Sequence, residues 1–546
     1  MKLLDKQRWN TIVRTNAGTA AIAALLAGIA AHLFGIVTIL NNYDSIIAQP
    51  ASYGTGVTSG RWFLNILGDI VGKCGGNYSL ATVNGLLLIV FLAISAGFLV
   101  SAIRIQNRLS AILVGMLFVV FPAATSIMFF RYTAVYYGIA ILLSVLAAWI
   151  LERTKYGVLL SALFTALSLG IYQAYVPLTI GIFVLILIRQ TLQESVPVKD
   201  VVKNGIRQCV ALILGLALYF ICLKITLWIY KTSLSDYQGV GEMGQLSLTD
   251  IPGLVWRAFS TFCTFPLKDY CELANTKFLK LLYGLLAVLT AVQLGYLLIQ
   301  KTVKPVNKLM TVLLCMIFPV AVNFIVIMCP NSWIYTLMVY GFALVPCVPV
   351  VMGECLPDVP AAKYGRRIAS AALLILVFAY ANGANVNYTA LYYANRQTEN
   401  YLNAMVVQVR MTEGFNTEKE WAFIGSIDDQ LMYNSWQEEA IYGGNNAAVD
   451  LINKYSRNWW IRYSFGYSIP QASEEKTQQL AQMQEVKAMP CWPDEGSIKV
   501  IGDTVVIKFQ NTTDASQGVK PLLFCDGSGF SALPERNSCI CAVCQI

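Results

Sequence analysis

Two groups able to do chemistry stand close together early in the chain. Asp44 ends Asn41-Asn42-Tyr43-Asp44, just after a long apolar run, and Arg61 lies in Ser59-Gly60-Arg61-Trp62. A charge placed beside hydrocarbon is costly without a partner or a task. A carboxylate there can take the proton of an attacking hydroxyl, and a guanidinium can pair with it or grip a phosphate through its planar fork of donors. Each also has a plainer reading. On residue type alone a solvated Asp at a helix end stands ahead of a catalytic base, and Arg61 beside Trp62 equally describes an interfacial anchor.

Four further residues fit the same chemistry. Arg131, in Phe129-Phe130-Arg131-Tyr132, occupies so short a connection that its head must emerge at the membrane edge, and Lys224 lies inside an apolar run near its outer end. Both are candidates for a lipid phosphate, and both are also candidates for simple snorkelling. Tyr172 and Gln173, in Tyr172-Gln173-Ala174-Tyr175, offer a hydroxyl and an amide that bind sugars or phosphate oxygens without adding charge. Tyr is also the common aromatic-belt residue, whereas Gln has no such excuse.

The rest of the inventory excludes several chemistries. His32 is the single histidine and lies in the first apolar run, so an external Ser-His-Asp or Cys-His site is not available. There is no Walker loop, no GxGxxG after a strand and no HExxH. The net charge of +8 raises nucleic acid, but the cations fall between apolar runs rather than on one face or in a tail, which reads as topology and not as a nucleic-acid surface.

The elements that must position these residues are membrane helices. Of 546 residues 56% are hydrophobic and 13% charged, more apolar surface than one soluble core buries. Candidate spans are 17–40, 79–103, 109–128, 133–151, 157–171, 173–189, 209–230, 278–299, 309–328, 334–352 and 368–383, about eleven crossings, of which the fifth and sixth are short for a bilayer needing about 20 residues. Arg and Lys recur at every second connection: before the first span, at Arg104 and Arg108, at Arg153 and Lys155, at 189–207, at 301–308 and at 363–367. By the positive-inside rule the amino terminus is cytoplasmic, and Asp44 and everything after the last span face outward across the cytoplasmic membrane. Two amphipathic stretches in the outward loops, 61–73 and 251–266, read as interfacial helices able to roof a cavity.

Residues 1–383 therefore form a polytopic helical domain and 384–546 a small external α+β domain. The latter is read from a helix at 388–412, a strand at 421–427 and a hairpin at 497–509 that turns at Gly502-Asp503. Cys525, Cys539, Cys541 and Cys544 cluster near its end. Disulfides or free thiols suit that spacing better than zinc, because no second well-spaced pair of ligands accompanies it.

The segments Asn41-Asn42-Tyr43-Asp44, Ser59-Gly60-Arg61-Trp62 and Gly170-Ile171-Tyr172-Gln173-Ala174-Tyr175, in this order and at these places, resemble the bacterial glucosyltransferase family II membrane proteins of the broad GT-C type. The resemblance covers roughly residues 1–380. It implies a polyprenyl-phosphate sugar donor, typically glucose, a cell-surface glycan acceptor at the outer face, and an acid of the first external loop as general base, which maps onto Asp44. GT-C enzymes often carry two acids in this loop, whereas Ser45 follows Asp44 here. No cofactor or metal ligand is assigned, and a requirement for a divalent metal stays open. On this reading Arg61, Arg131 and Lys224 serve the donor phosphate, and Tyr172 and Gln173 serve polar recognition. The rival readings are a transporter or flippase for lipid-linked saccharides, which would place polar groups on broken helices at mid-membrane, and an envelope sensor or scaffold working through the tail.

Overall fold

The computed structural model describes residues 2–48, 54, 56–75, 79–193, 196–235, 249–268, 270–300, 304–332, 334–425, 456–466 and 468–511. Among these, nine helices are long and apolar enough to cross a membrane: Thr11–Val37, Ala81–Ala102, Arg108–Phe129, Arg131–Ile150, Gln173–Leu192, Val198–Tyr230, Lys277–Ile299, Pro305–Val322 and Pro360–Met411. Two shorter apolar helices, Gly157–Ile171 and Tyr340–Cys355, accompany them. Together they fall on the eleven segments read from hydropathy. The protein is a multi-pass helical membrane protein with a small sheet near its C-terminal end.

In chain order the helices are α1 (Lys2–Val37), α2 (Tyr43–Ile47), α3 (Trp62–Gly75), α4 (Ala81–Ala102), α5 (Arg108–Val120), α6 (Pro122–Phe129), α7 (Arg131–Ile150), α8 (Gly157–Ile171), α9 (Val176–Leu192), α10 (Val198–Tyr230), α11 (Ile251–Lys268), α12 (Lys277–Ile299), α13 (Pro305–Val322), α14 (Ile325–Met328), α15 (Val348–Cys355), α16 (Pro360–Met411), α17 (Arg457–Phe465), α18 (Glu474–Gln482) and α19 (Gln484–Ala488). α1 packs along α4 and α5, α4 along α7, α7 along α8 and α9, α10 along α8, and α13 along α9. The two stretches expected to lie in the interface are the helices α3 and α11, and neither is among the spans.

Two expectations change. The stretch 334–352 is not one α-helix. It runs as 3₁₀ turns over Thr336–Met338 and Tyr340–Cys347 and continues as α15, with Pro346 inside the 3₁₀ segment. The Pro346 ring clashes with the carbonyl one α-turn back, which disfavours an unbroken α-helix at this point. The helix expected at 388–412 is not separate either. It is the second half of α16, whose 52 residues continue the last apolar run without a break. Ala, Asn, Tyr and Thr replace Leu and Val after Tyr380, which lowers hydropathy while leaving no proline to stop the helix.

The chain divides into two compact units. Of the described residues, those up to Ala404 with 456–468 belong to the first, and 405–425 with 469–511 to the second. In the second, strands β1 (Glu420–Ile424), β2 (Ile498–Ile501) and β3 (Thr504–Lys508) form a sheet of order β1-β3-β2, parallel between β1 and β3 and antiparallel between β3 and β2. The hairpin turns at Gly502-Asp503, as the sequence predicts, with Ile501 paired to Thr504. Ala422, Ile424 and Val506 from the sheet pack on Leu480, Val486 and Met489 from the α18–α19 region. Lys476 ties the edge together by reaching Glu420 and Asp503 at 2.8 and 2.9 Å. The cysteines at 525, 539, 541 and 544 lie outside the described residues.

Candidate active site

The short helix α2 presents Asp44. Asn42 caps it: its side-chain oxygen accepts from the backbone N–H groups of Asp44 at 3.0 Å and Ser45 at 2.6 Å, which satisfies donors that a helix start otherwise leaves open. The Ser45 hydroxyl donates to the carbonyl of Phe129 at 2.8 Å, fixing α2 to the end of α6. Behind the cap, Asn395 of α16 grips the Asn41 backbone from both sides, accepting from its N–H and donating to its carbonyl, each at 2.8 Å. The Asp44 backbone is thus fixed by three buried side chains, and α17 packs against the same helix.

The Asp44 carboxylate itself is half-buried and has neither a hydrogen bond nor an ion pair among the described residues. Burial alone pushes its pKa up to about 6, because the charged form loses hydration without a compensating cation. Arg61 is not its ion-pair partner. Residue types and spacing left that pairing open, and the structure takes the guanidinium elsewhere.

Arg61 sits over the Tyr172 ring at 4.7 Å and donates through Nη1 to the Tyr137 hydroxyl at 3.3 Å. Tyr172 in turn stacks on Tyr137, with centroids 4.5 Å apart and planes 17° from parallel. The loop that delivers Arg61 is pinned. Gly60 has φ +74°, a conformation that side chains other than glycine rarely adopt. Gln173 donates to the Ser59 carbonyl at 3.0 Å and to the Tyr219 hydroxyl at 3.1 Å, and that hydroxyl donates to the Gly60 carbonyl at 3.1 Å. Gly170 completes the fit, since a Cβ there would lie 2.7 Å from the Trp62 ring. Two of the three sequence segments singled out above therefore converge: the 59–62 turn rests on the 170–175 turn, and the aromatic pair at Arg61 belongs to both α7 and that turn, while the 41–44 segment is held instead by Asn395 and, through Ser45, by Phe129.

The other two cations behave differently. Arg131 is 3% exposed and donates to the carbonyls of Gly35 at 2.8 Å and Leu40 at 3.1 Å. It caps the C-terminal end of α1, a place where unpaired carbonyls attract a cation. Lys224 is exposed on α10, with no hydrogen bond or ion pair among the described residues. His32 is fully buried. Its Nε2–H donates to the Val119 carbonyl at 3.0 Å, and its Nδ1 accepts from the Tyr388 hydroxyl at 2.7 Å, so it holds α1, α5 and α16 together. Among the described residues no three His, Cys, Asp or Glu side chains gather as they would to hold a metal ion.

The model of the glucosyl transferase GtrII family matches residues 33–346, more than half of the chain. The chain belongs to that family. No curated protein and no solved structure gives a match. As a GtrII-family member it is a membrane glucosyltransferase with a sugar donor and an acceptor as substrates. The matched region contains Asp44, Arg61, Arg131, Tyr172, Gln173 and Lys224, and it ends before α16.

Several residues that build the site were not assigned a role from sequence. Asn42 and Tyr137 were hidden by type, because Asn at a span end and Tyr in an aromatic belt are both commonplace. Asn395 had no signal at all: it meets Asn41 across 354 positions and lies outside the family match. Replacing it by Leu removes the partner of two backbone groups at once. The expected cost is about 1–3 kcal/mol of stability, read as a lower melting temperature, together with a fall in turnover as α2 loosens.

Proposed function

We propose that this GtrII-family protein moves glucose from a polyprenyl-phosphate donor to a cell-surface glycan, such as an O-antigen, teichoic acid or wall polysaccharide, at the outer face of the cytoplasmic membrane. In this GT-C-type reading the amino terminus is inside, and Asp44 and the three-stranded unit are outside. The reading rests chiefly on Asp44: a half-buried carboxylate without a counter-ion among the described residues, on a helix whose backbone is fixed, with a pKa near the operating range of a general base.

The acceptor hydroxyl attacks the anomeric carbon in line as its proton passes to Asp44. The bond from that carbon to the phosphate oxygen breaks, the electron pair leaves with the prenyl phosphate, and the configuration inverts. Arg61 faces the leaving phosphate. Tyr172 and Tyr137 hold its guanidinium, while Gln173 acts as a positioning residue for the turn that carries it. Arg131 braces the end of α1 behind the Asp44 helix, with two of its donors engaged there. Lys224, exposed on α10, meets lipid headgroups rather than the reacting sugar.

The test is purified protein in vesicles given polyprenyl-phosphate [¹⁴C]glucose and cell-envelope glycan. Label is expected in the glycan, with none transferred from a nucleotide-linked glucose supplied alone. Transfer directly from the nucleotide sugar would refute the lipid donor. Passage of the intact lipid-linked sugar across the bilayer without transfer would move the protein to the transporters.

A further inference from the structure

A second site lies at the other end of the bundle. Arg14, near the start of α1, and Arg104 and Arg153, just past the ends of α4 and α7, line a cavity of about 670 Å³ together with Phe98, Ser101 and Trp149. From Arg14 to the end of α1 is about 35 Å of helix, so this cavity is separated from Asp44 by the thickness of the bundle.

The cavity has a built polar rim and an apolar floor. Trp149 stands edge-on to Phe98 at 4.9 Å and donates from its indole N–H to the Ser101 hydroxyl at 3.0 Å. Arg153 lies over the Trp149 ring at 5.3 Å and donates to the Ser101 carbonyl and hydroxyl at 3.1 and 3.2 Å. Arg104 is held at φ +56°, in the left-handed region, which a non-glycine residue adopts only when its surroundings demand it. Among the described residues its acidic partner is Glu152, at 3.5 Å, and Glu152 also accepts from Gln190 at 2.6 Å. Three guanidinium groups thus line the cavity, and Glu152, already shared, pairs with Arg104. Partial burial lowers the Arg153 pKa, and the proximity of Arg104 lowers it further.

We propose that this groove binds the phosphate headgroup of an anionic membrane phospholipid. The three guanidinium groups among the described lining residues call for an anion with several acceptor oxygens, which guanidinium forks recognise well. The floor argues for a lipid rather than a soluble phosphate. Ala17, Ala21 and Ile94 carry the lining deeper along α1 and α4, where an acyl chain follows the headgroup and water gains nothing. Basic pockets between membrane helices at one surface suit such headgroups. The bound lipid would tie α1, α4 and α7 together at the end remote from Asp44.

Native mass spectrometry of protein taken from phosphatidylcholine vesicles doped with phosphatidylglycerol tests this. Wild type is expected to retain phosphatidylglycerol, and the double variant Arg104→Gln/Arg153→Gln to lose that retention by about tenfold or more. Arg14→Gln is expected to weaken it in the same direction. Arg14 makes no hydrogen bond or ion pair among the described residues, so this variant reports on the lipid even if the double variant fails to fold. Arg108→Gln removes an exposed cation that does not line the cavity, and it should leave retention unchanged. Equal loss with Arg108→Gln, retention unaffected by the cavity variants, or displacement of the lipid by millimolar inorganic phosphate would overturn the proposal.

Discussion

Asp44→Asn is expected to cut glucose transfer by about 10²- to 10⁴-fold, the range a positioned general base contributes, and at the same time to raise the melting temperature. The two effects share one cause. The folded-state pKa of Asp44, about 6, lies above its ordinary value of 3.8, so folding favours the protonated carboxyl. Below pH 3.8 the side chain is neutral folded or unfolded and costs nothing. As pH climbs from there to about 6 the unfolded chain ionises first, and above 6 the folded protein carries the full penalty of an uncompensated, half-buried charge. Asparagine keeps the shape and removes the charge. The gain in melting temperature should therefore be present at pH 8 and vanish near pH 4, which thermal unfolding at the two pH values measures directly. Turnover of the wild type should fall about tenfold per unit on the acid side of pH 6 as the base becomes protonated. Full transfer by Asp44→Asn would remove Asp44 from the mechanism. A lower melting temperature at pH 8 would show that the carboxylate is instead a stabilising group with a partner.

That a single carboxylate could be chosen from sequence reflects how few titratable groups a membrane domain tolerates. With 13% charged residues and one histidine, the field was small before any geometry was known. The spans were legible for the same reason, since hydrocarbon thickness sets a minimum length of apolar sequence. Where hydropathy faded, the reading failed: α16 continues past Tyr380 on polar residues, because helix continuation depends on backbone hydrogen bonds and not on apolarity. Site assembly was legible only in part. The 59–62 and 170–175 segments were recognised separately, but nothing in either says that Gln173 bonds to Ser59 or that Tyr137 lies beneath Arg61. Arg131 illustrates the converse. Its head was expected to emerge at the membrane edge, but it is buried and turns to the neighbouring carbonyls of Gly35 and Leu40, a choice decided by packing that no local pattern encodes.

Arg61→Ala is the second large effect, with turnover expected to fall by about 10²- to 10³-fold, the size of loss seen when one preorganised group facing a developing charge is removed. The Arg61 guanidinium lies over the Tyr172 ring at 4.7 Å and donates to the Tyr137 hydroxyl, and its backbone leaves a glycine turn fixed by Gln173 and Tyr219. Such a group needs little reorganisation when the sugar–phosphate bond breaks. Negative charge accumulates on the phosphate only as it leaves, so the interaction strengthens in the transition state and its loss should appear in kcat more than in KM for the donor. Arg61→Lys discriminates further. An ammonium supplies the charge but neither the planar fork nor the stack on Tyr172, and it should recover no more than a small part of the lost rate. A lysine that restores full turnover would reduce Arg61 to a generic positive charge. An alanine that raises KM and leaves kcat intact would confine the residue to donor binding, and the leaving phosphate would need another cation.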